Sequence, residues 1–323
     1  MITHFGLNNR DQVQEFQRHL LNRNSNKNSI FVDKMSTTNL GRNFSCFLWK
    51  QENKKLLVLL DVDDGSGGTP SDCKIVWSAL NEILCNHRPH DLLVLKSQYN
   101  KNPEYNQFYP FKDNIVPIGI FSDCIKNVFD AKNKYPKKAT QDIDVFYAGG
   151  YKHVKNRPYV WPTNRDIRKW WSGASVRGYE KLLEIKNKRT DINFAVFDKS
   201  LPAEQFYDYV SRSKVCIDLP GVGLSSRKFY EFMVFEKCVL SLQQQHTPWD
   251  CEENVHYCSM QEDLDFSSME EKIDLLLKNE KTRTEIEGNV RSINSQLSLN
   301  SMITRVEKII KNKMDTLEQR ISY

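Results

Sequence analysis

Residues 214–242 read KVCIDLPGVGLSSRKFYEFMVFEKCVLSL, and no other stretch restricts the fold as much. A short apolar run, KVCIDL, gives way to a loop containing Gly221 and Gly223. SSRKFYEFMVFE then carries apolar residues at helical spacing, and KCVLSL is apolar again. Two strands joined by a helix run parallel, since a neighbouring antiparallel pair needs only a hairpin. A parallel sheet must be covered on both faces, so more helices of this kind are required.

The rest of the chain supplies them. In the first half, residues 29–33, 55–62 and 91–96 read as strands, 72–87 as an amphipathic helix, and 114–121 as a short apolar piece. DAKNKYPKKATQD (130–142) is charged and poor in apolar residues, and reads as a surface connection. The alternation then restarts with strands at 143–150, 191–198, 214–219 and 237–242. Helices are expected at about 164–188, 202–213, 225–236, 267–278, 280–296 and 300–320. The expected fold is α/β, with two doubly wound Rossmann-like domains over 1–138 and 139–323. The last helix is expected to pack back on the first domain. Open sheets of this class bind ligands outside the carboxyl ends of their strands, which would place a cleft between the domains.

At 323 residues with 39% hydrophobic content, the chain is long enough for two packed cores. Its 46 basic and 41 acidic side chains leave a net charge of +5, too mild and too interspersed for a dedicated nucleic-acid binder. No signal-peptide pattern opens the sequence, and no run of eighteen apolar residues predicts a membrane span. The eight cysteines form no C-x-x-C pair, and Cys251, His256 and Cys258 match no zinc spacing. A cytoplasmic protein without a resident metal or cofactor is the expectation.

The chemistry concentrates at the start of the 225–236 helix. Gly221 and Gly223 permit close backbone approach, and Ser225 or Ser226 is a good N-cap, leaving free amides pointing above the helix. Arg227 and Glu231 are spaced i, i+4 and share a face. A cation in the first turn opposes the helix dipole, which makes sense if an anion binds there. Glu231, one turn on, is placed to accept hydrogen bonds from paired hydroxyls such as those of a ribose. A solvated Arg–Glu pair on an ordinary helix is the plain alternative. The loop is neither G-x-G-x-x-G nor a P-loop.

DLPGVGLSSRKFYEF followed by EKCVLSL resembles the nucleotide-sugar-binding segment of GT-B-fold glycosyltransferases of the group 1 or exostosin-like kind. DVFYAGG (144–150) is similar to the first strand and glycine turn of their donor domain, and 257–286 to the helical segment after the donor site. On that resemblance Arg227, with Lys228 as the lesser partner, would hold the donor diphosphate together with amides near Gly223–Ser226. Glu231 would bind the ribose. Gly149 and Gly150 would let the first loop approach the donor, with Arg157 or Arg165 nearby. Many retaining members carry a Glu eight residues before the helix Glu. Gly223 stands there in this chain, which favours an inverting outcome.

LLVLLDVDDGSGG (56–68) leaves more alternatives open. Asp61 and Asp63 would be nucleophile and acid/base in a magnesium-dependent phosphohydrolase of the haloacid dehalogenase type, but the later acidic pair is missing. A metal-binding D-x-D would need the nucleotide in the first half. The third alternative is an acceptor-side loop, in which Asp61, Asp63 or Asp64 deprotonates the attacking hydroxyl; closely spaced carboxylates raise one another's pKa. A polar turn capping the next helix is the plain alternative. His87, His90 and His153 are weaker base candidates. The expected activity is metal-independent transfer of a hexosyl or pentosyl group from a nucleotide-diphosphate sugar to a glycan or glycoconjugate hydroxyl. The rivals are the phosphohydrolase and a non-catalytic nucleotide- or carbohydrate-binding module.

Overall fold

The computed structural model describes residues 4–5, 20, 23–24, 44–51, 53–61, 85, 91–96, 114–118, 125–137, 140–149, 165–219, 226–242, 251–260 and 266–321. The chain divides into two compact units, one built from residues 1–125 and 298–323, the other from 126–297.

In the first unit, strands β1 (His4–Phe5), β2 (Phe44–Gln51), β3 (Lys54–Asp61), β4 (Asp91–Lys96) and β5 (Ile115–Pro117) form one sheet in that order. β3, β4 and β5 are parallel, as the alternating pattern requires, whereas β1–β2 and β2–β3 are antiparallel. The antiparallel part corrects the expectation of parallel pairing throughout. Gln51 pairs with Lys54, so only Glu52 and Asn53 connect β2 to β3, a two-residue hairpin link too short for any crossover. Residues 56–60 of β3 are all buried, which explains their unbroken apolar run. The terminal helix, Leu299–Ile321, belongs to this unit. It packs on β3 and β4, and Lys313 Nζ lies 2.7 Å from Asp91 Oδ2. The strand and helix expected at 29–33 and 72–87 fall outside the described residues, apart from Cys85.

The second unit opens with helix α1 (Ile125–Lys134), where the sequence suggested only a connection from 130 onward. Lys132 and Lys134 tie it to Glu236 and Glu204, partners too distant in sequence for local pattern to reveal. Then follow β6 (Ile143–Ala148), α2 (Arg165–Lys188), β7 (Phe194–Phe197), α3 (Ala203–Arg212), β8 (Ser213–Asp218), α4 (Arg227–Val234), β9 (Cys238–Leu242) and β10 (Cys258–Met260). Helices α5 (Met269–Lys278) and α6 (Glu280–Ile293) and a 3-10 turn (Asn294–Leu297) complete it.

All strand pairs here are parallel, in the order β7-β6-β8-β9-β10. Successive strand residues face opposite sides of a sheet, and β6 shows both coverings. Phe146 meets Phe206 of α3 and Phe232 of α4, with ring centroids 5.5 and 6.2 Å away. Tyr147 meets Tyr179 of α2 at 5.7 Å. The sheet is therefore doubly wound. Its order reverses between β6 and β8, because β6 continues outward to β7 while β8 leads the other way. That reversal makes the carboxyl ends of β6 and β8 the natural ligand crevice.

Candidate functional site

β6 ends at Ala148, and Gly149 follows it, its N–H donating to Phe197 O at 3.2 Å. The sequence suggests Gly149 as a place for a ligand to approach the backbone, and the structure gives the glycine a further reason. A Cβ there would sit 2.3 Å from the Tyr147 hydroxyl oxygen and 3.2 Å from Lys228 Nζ. The missing side chain makes room for the Tyr147 hydroxyl.

β8 ends at Asp218, which is almost wholly buried. Its Oδ1 accepts from the Ser226 hydroxyl and its Oδ2 from the Ser241 hydroxyl of β9, 2.9 Å away. Ser226 is the N-cap of α4 and accepts from the Phe229 N–H at 3.0 Å. One carboxylate thus links two strand ends to the helix start. Burial pushes the Asp218 carboxyl above its ordinary value, while Lys228 and the two serine hydroxyls pull it back down. A single Asp at the end of KVCID was the only trace of this junction in the sequence.

Helix α4 buries Phe229, Phe232, Met233 and Val234 as its periodicity predicts, and Tyr230 and Glu231 as well. Arg227 remains half exposed, and its Nε donates to Glu231 Oε1 at 2.8 Å. Tyr207 of α3 also donates to Oε1, at 3.4 Å. Among the described residues none donates to Oε2. Burial raises the Glu231 carboxyl, and Arg227 is the largest influence holding it down.

Lys228 lies elsewhere. Its ammonium sits over the Tyr147 ring, 4.5 Å from the centroid, a cation–π contact. Burial lowers its pKa; the charges of Asp218 and then Glu231 oppose that shift. Burial also raises Tyr147, with Asp218 adding to the effect, so the phenol stays protonated.

The structure therefore brings Gly149, Ser226, Arg227, Lys228 and Glu231 to the carboxyl-end side of one sheet, at its switch point. Gly150, Arg157, Gly221, Gly223 and Ser225 lie outside the described residues, and of Arg165 only the backbone, in α2, is described. Asp63 and Asp64 are likewise outside them. Asp61 is the last residue of β3, at the carboxyl end of the first unit's sheet, with buried Lys96 as its register partner on β4. Asp218, Ser241, Tyr147 and Tyr207 were not singled out from sequence. Among the described residues, no helix is long and apolar enough to cross a membrane.

No family model matches the chain, and no curated protein does. Solved structures do resemble it, glycosyltransferases among them. Anabaena HepE in complex with UDP and glucose is 11% identical over 79% of this chain and 71% of its own, with a TM-score of 0.45. Sucrose-phosphate synthase from Thermosynechococcus elongatus is 12% identical over 80% and 67%, at 0.47. A putative UDP-N-acetylglucosamine 2-epimerase from Listeria monocytogenes, 11% identical over 79% and 83%, reaches 0.35. At such identities and scores these likenesses decide no activity.

Proposed function

We propose that the chain is a GT-B-type glycosyltransferase that moves a sugar from a nucleotide-diphosphate donor to a hydroxyl acceptor. The observation that carries this reading is the convergence at the β6/β8 switch point. A serine-capped helix start, a lysine ammonium beside Gly149 and a buried glutamate one turn further in all meet there. The helix amides, Arg227 and Lys228 suit a diphosphate. Glu231, its Oε1 held by Arg227 and Tyr207, suits a ribose diol.

Gly149 and Gly150, the Gly221–Ser225 loop and Arg157 complete the proposed donor site. Neutralisation by side chains and amides supports transfer without a metal, and Gly223 in place of a second Glu supports inversion. One of Asp61, Asp63 and Asp64 in the acceptor-binding first unit serves as base. The chain should release nucleoside diphosphate from one of UDP-, GDP- or TDP-glucose and their galactose and N-acetylglucosamine counterparts, with EDTA present. Release of inorganic phosphate from simple phosphate esters, dependent on magnesium and Asp61, would favour the phosphohydrolase instead.

A further inference from the structure

The two adjacent cations of α4 have separate attachments, and this divides their work. Arg227 is bonded to Glu231, half exposed, on the side of the helix that faces Tyr207. Lys228 rests on Tyr147 beside Gly149.

Resting on the reading of this site as a donor-phosphate site, we infer that Lys228 is the cation that neutralises the diphosphate. Asp218 is the positioning residue that holds the α4 N-terminus, from which Lys228 projects, in place through Ser226, and Arg227 serves to orient Glu231.

Three features lead to this division. An ammonium over a ring face keeps its N–H bonds available on the side away from the ring, so Tyr147 locates the charge without using up its donors. A lysine taken partly out of water needs a counter-charge to stay protonated, and Asp218 supplies one from the end of β8. The same carboxylate receives the Ser226 hydroxyl, leaving the serine oxygen to accept the Phe229 amide. That carboxylate thereby fixes the direction of the helix start that carries Lys228. An arginine already bonded through Nε to a buried glutamate is placed instead to hold that glutamate's geometry.

The test compares UDP, GDP and TDP with uridine, guanosine and thymidine by calorimetry on the full chain. Lys228→Ala should weaken the preferred diphosphate roughly ten- to hundredfold while leaving the parent nucleoside within about threefold. Arg227→Ala should keep most of the preference for diphosphate over nucleoside. Asp218→Asn, which keeps shape and loses charge, should weaken the diphosphate selectively and move the alkaline fall in its affinity to lower pH. The groups facing Lys228 in that titration are Asp218 from β8, Tyr147 from β6 and Glu231 on its own helix. If wild type binds a diphosphate, and Arg227→Ala abolishes the diphosphate preference while Lys228→Ala does not, the division is wrong. Equal losses of diphosphate and nucleoside in Asp218→Asn would reduce that residue to a structural role. If wild type binds none of the diphosphates, it is the donor-site reading that fails.

Discussion

Arg227 donates through Nε to Oε1 of Glu231 over 2.8 Å, and the two ends of that bond differ sharply in exposure: 51% of the arginine side chain is accessible, but only 7% of the glutamate's. A surface ion pair of this i, i+4 type contributes only a few tenths of a kcal/mol on its own. A buried carboxylate held by one arginine makes better sense as a receptor for hydroxyl donors.

Glu231→Ala should therefore erase discrimination between a nucleoside diphosphate and its 2′,3′-dideoxy counterpart. Wild type should prefer the ribose form by roughly tenfold or more, the worth of one hydrogen bond to a charged group. Calorimetry with both ligands on both proteins checks this. An unchanged preference in the variant would remove Glu231 from ribose recognition.

The pH dependence of stability should carry the mark of Asp218. Its folded pKa is raised above the ordinary 3.8 by burial, so the fold prefers the protonated form. That contribution is complete below the unfolded value and is lost as pH rises through the folded one. Asp218→Asn removes it. Measured by urea unfolding, the stability of wild type relative to Asp218→Asn should fall between strongly acid and neutral pH. Asp218→Ala should instead cost about 1–3 kcal/mol, because two serine hydroxyls lose their acceptor.

Two helical glycines should respond with opposite signs to alanine. Gly288 in α6 has open space where a Cβ would stand, so Gly288→Ala should stabilise by about 0.5–1 kcal/mol through helix propensity alone. At Gly178 in α2 the Cβ would lie 2.8 Å from Leu219 Cδ2 and 2.9 Å from Phe266 Cζ, both on fully buried side chains. Overpacking of about 1–3 kcal/mol should outweigh the propensity gain there. Leu219 follows Asp218 directly, so Gly178→Ala should also weaken nucleotide binding. Chemical unfolding of the two variants decides both signs.

Tyr230 points away from the proposed ligand, its hydroxyl donating to Leu297 O at 2.5 Å. Tyr230→Phe should lose about 1 kcal/mol, since the carbonyl is left buried without that donor, and should bind nucleotide as wild type does. Binding lost in proportion to stability would mean the site depends on that anchor.

Most of the second unit's elements were legible because their strands are apolar runs closed by small or polar residues, and their helices have a continuous apolar face. An N-cap at Ser225 or Ser226 and the shared face of Arg227 and Glu231 followed from local spacing, and the structure selects Ser226. β2 was not seen, because FSCFLWKQ lacks clean alternation; the two-residue Glu52–Asn53 link was the available signal. The second unit's short edge strand, Cys258–Met260, was absorbed into a polar loop for want of length. The largest omission was physical in kind. Asp218 acquires its meaning from Ser226, Ser241 and Lys228, which come together only when β8, β9 and α4 pack, and no local pattern encodes such a meeting.

Melting temperatures measured against UDP, GDP, TDP and CMP, with EDTA present throughout, test the central claim most directly. One nucleoside diphosphate should raise the melting temperature in a concentration-dependent way, as binding to the folded state alone requires, and the rise should vanish in the Arg227→Ala/Lys228→Ala double variant. No shift with any of the four nucleotides, or an undiminished shift in the double variant, would contradict it.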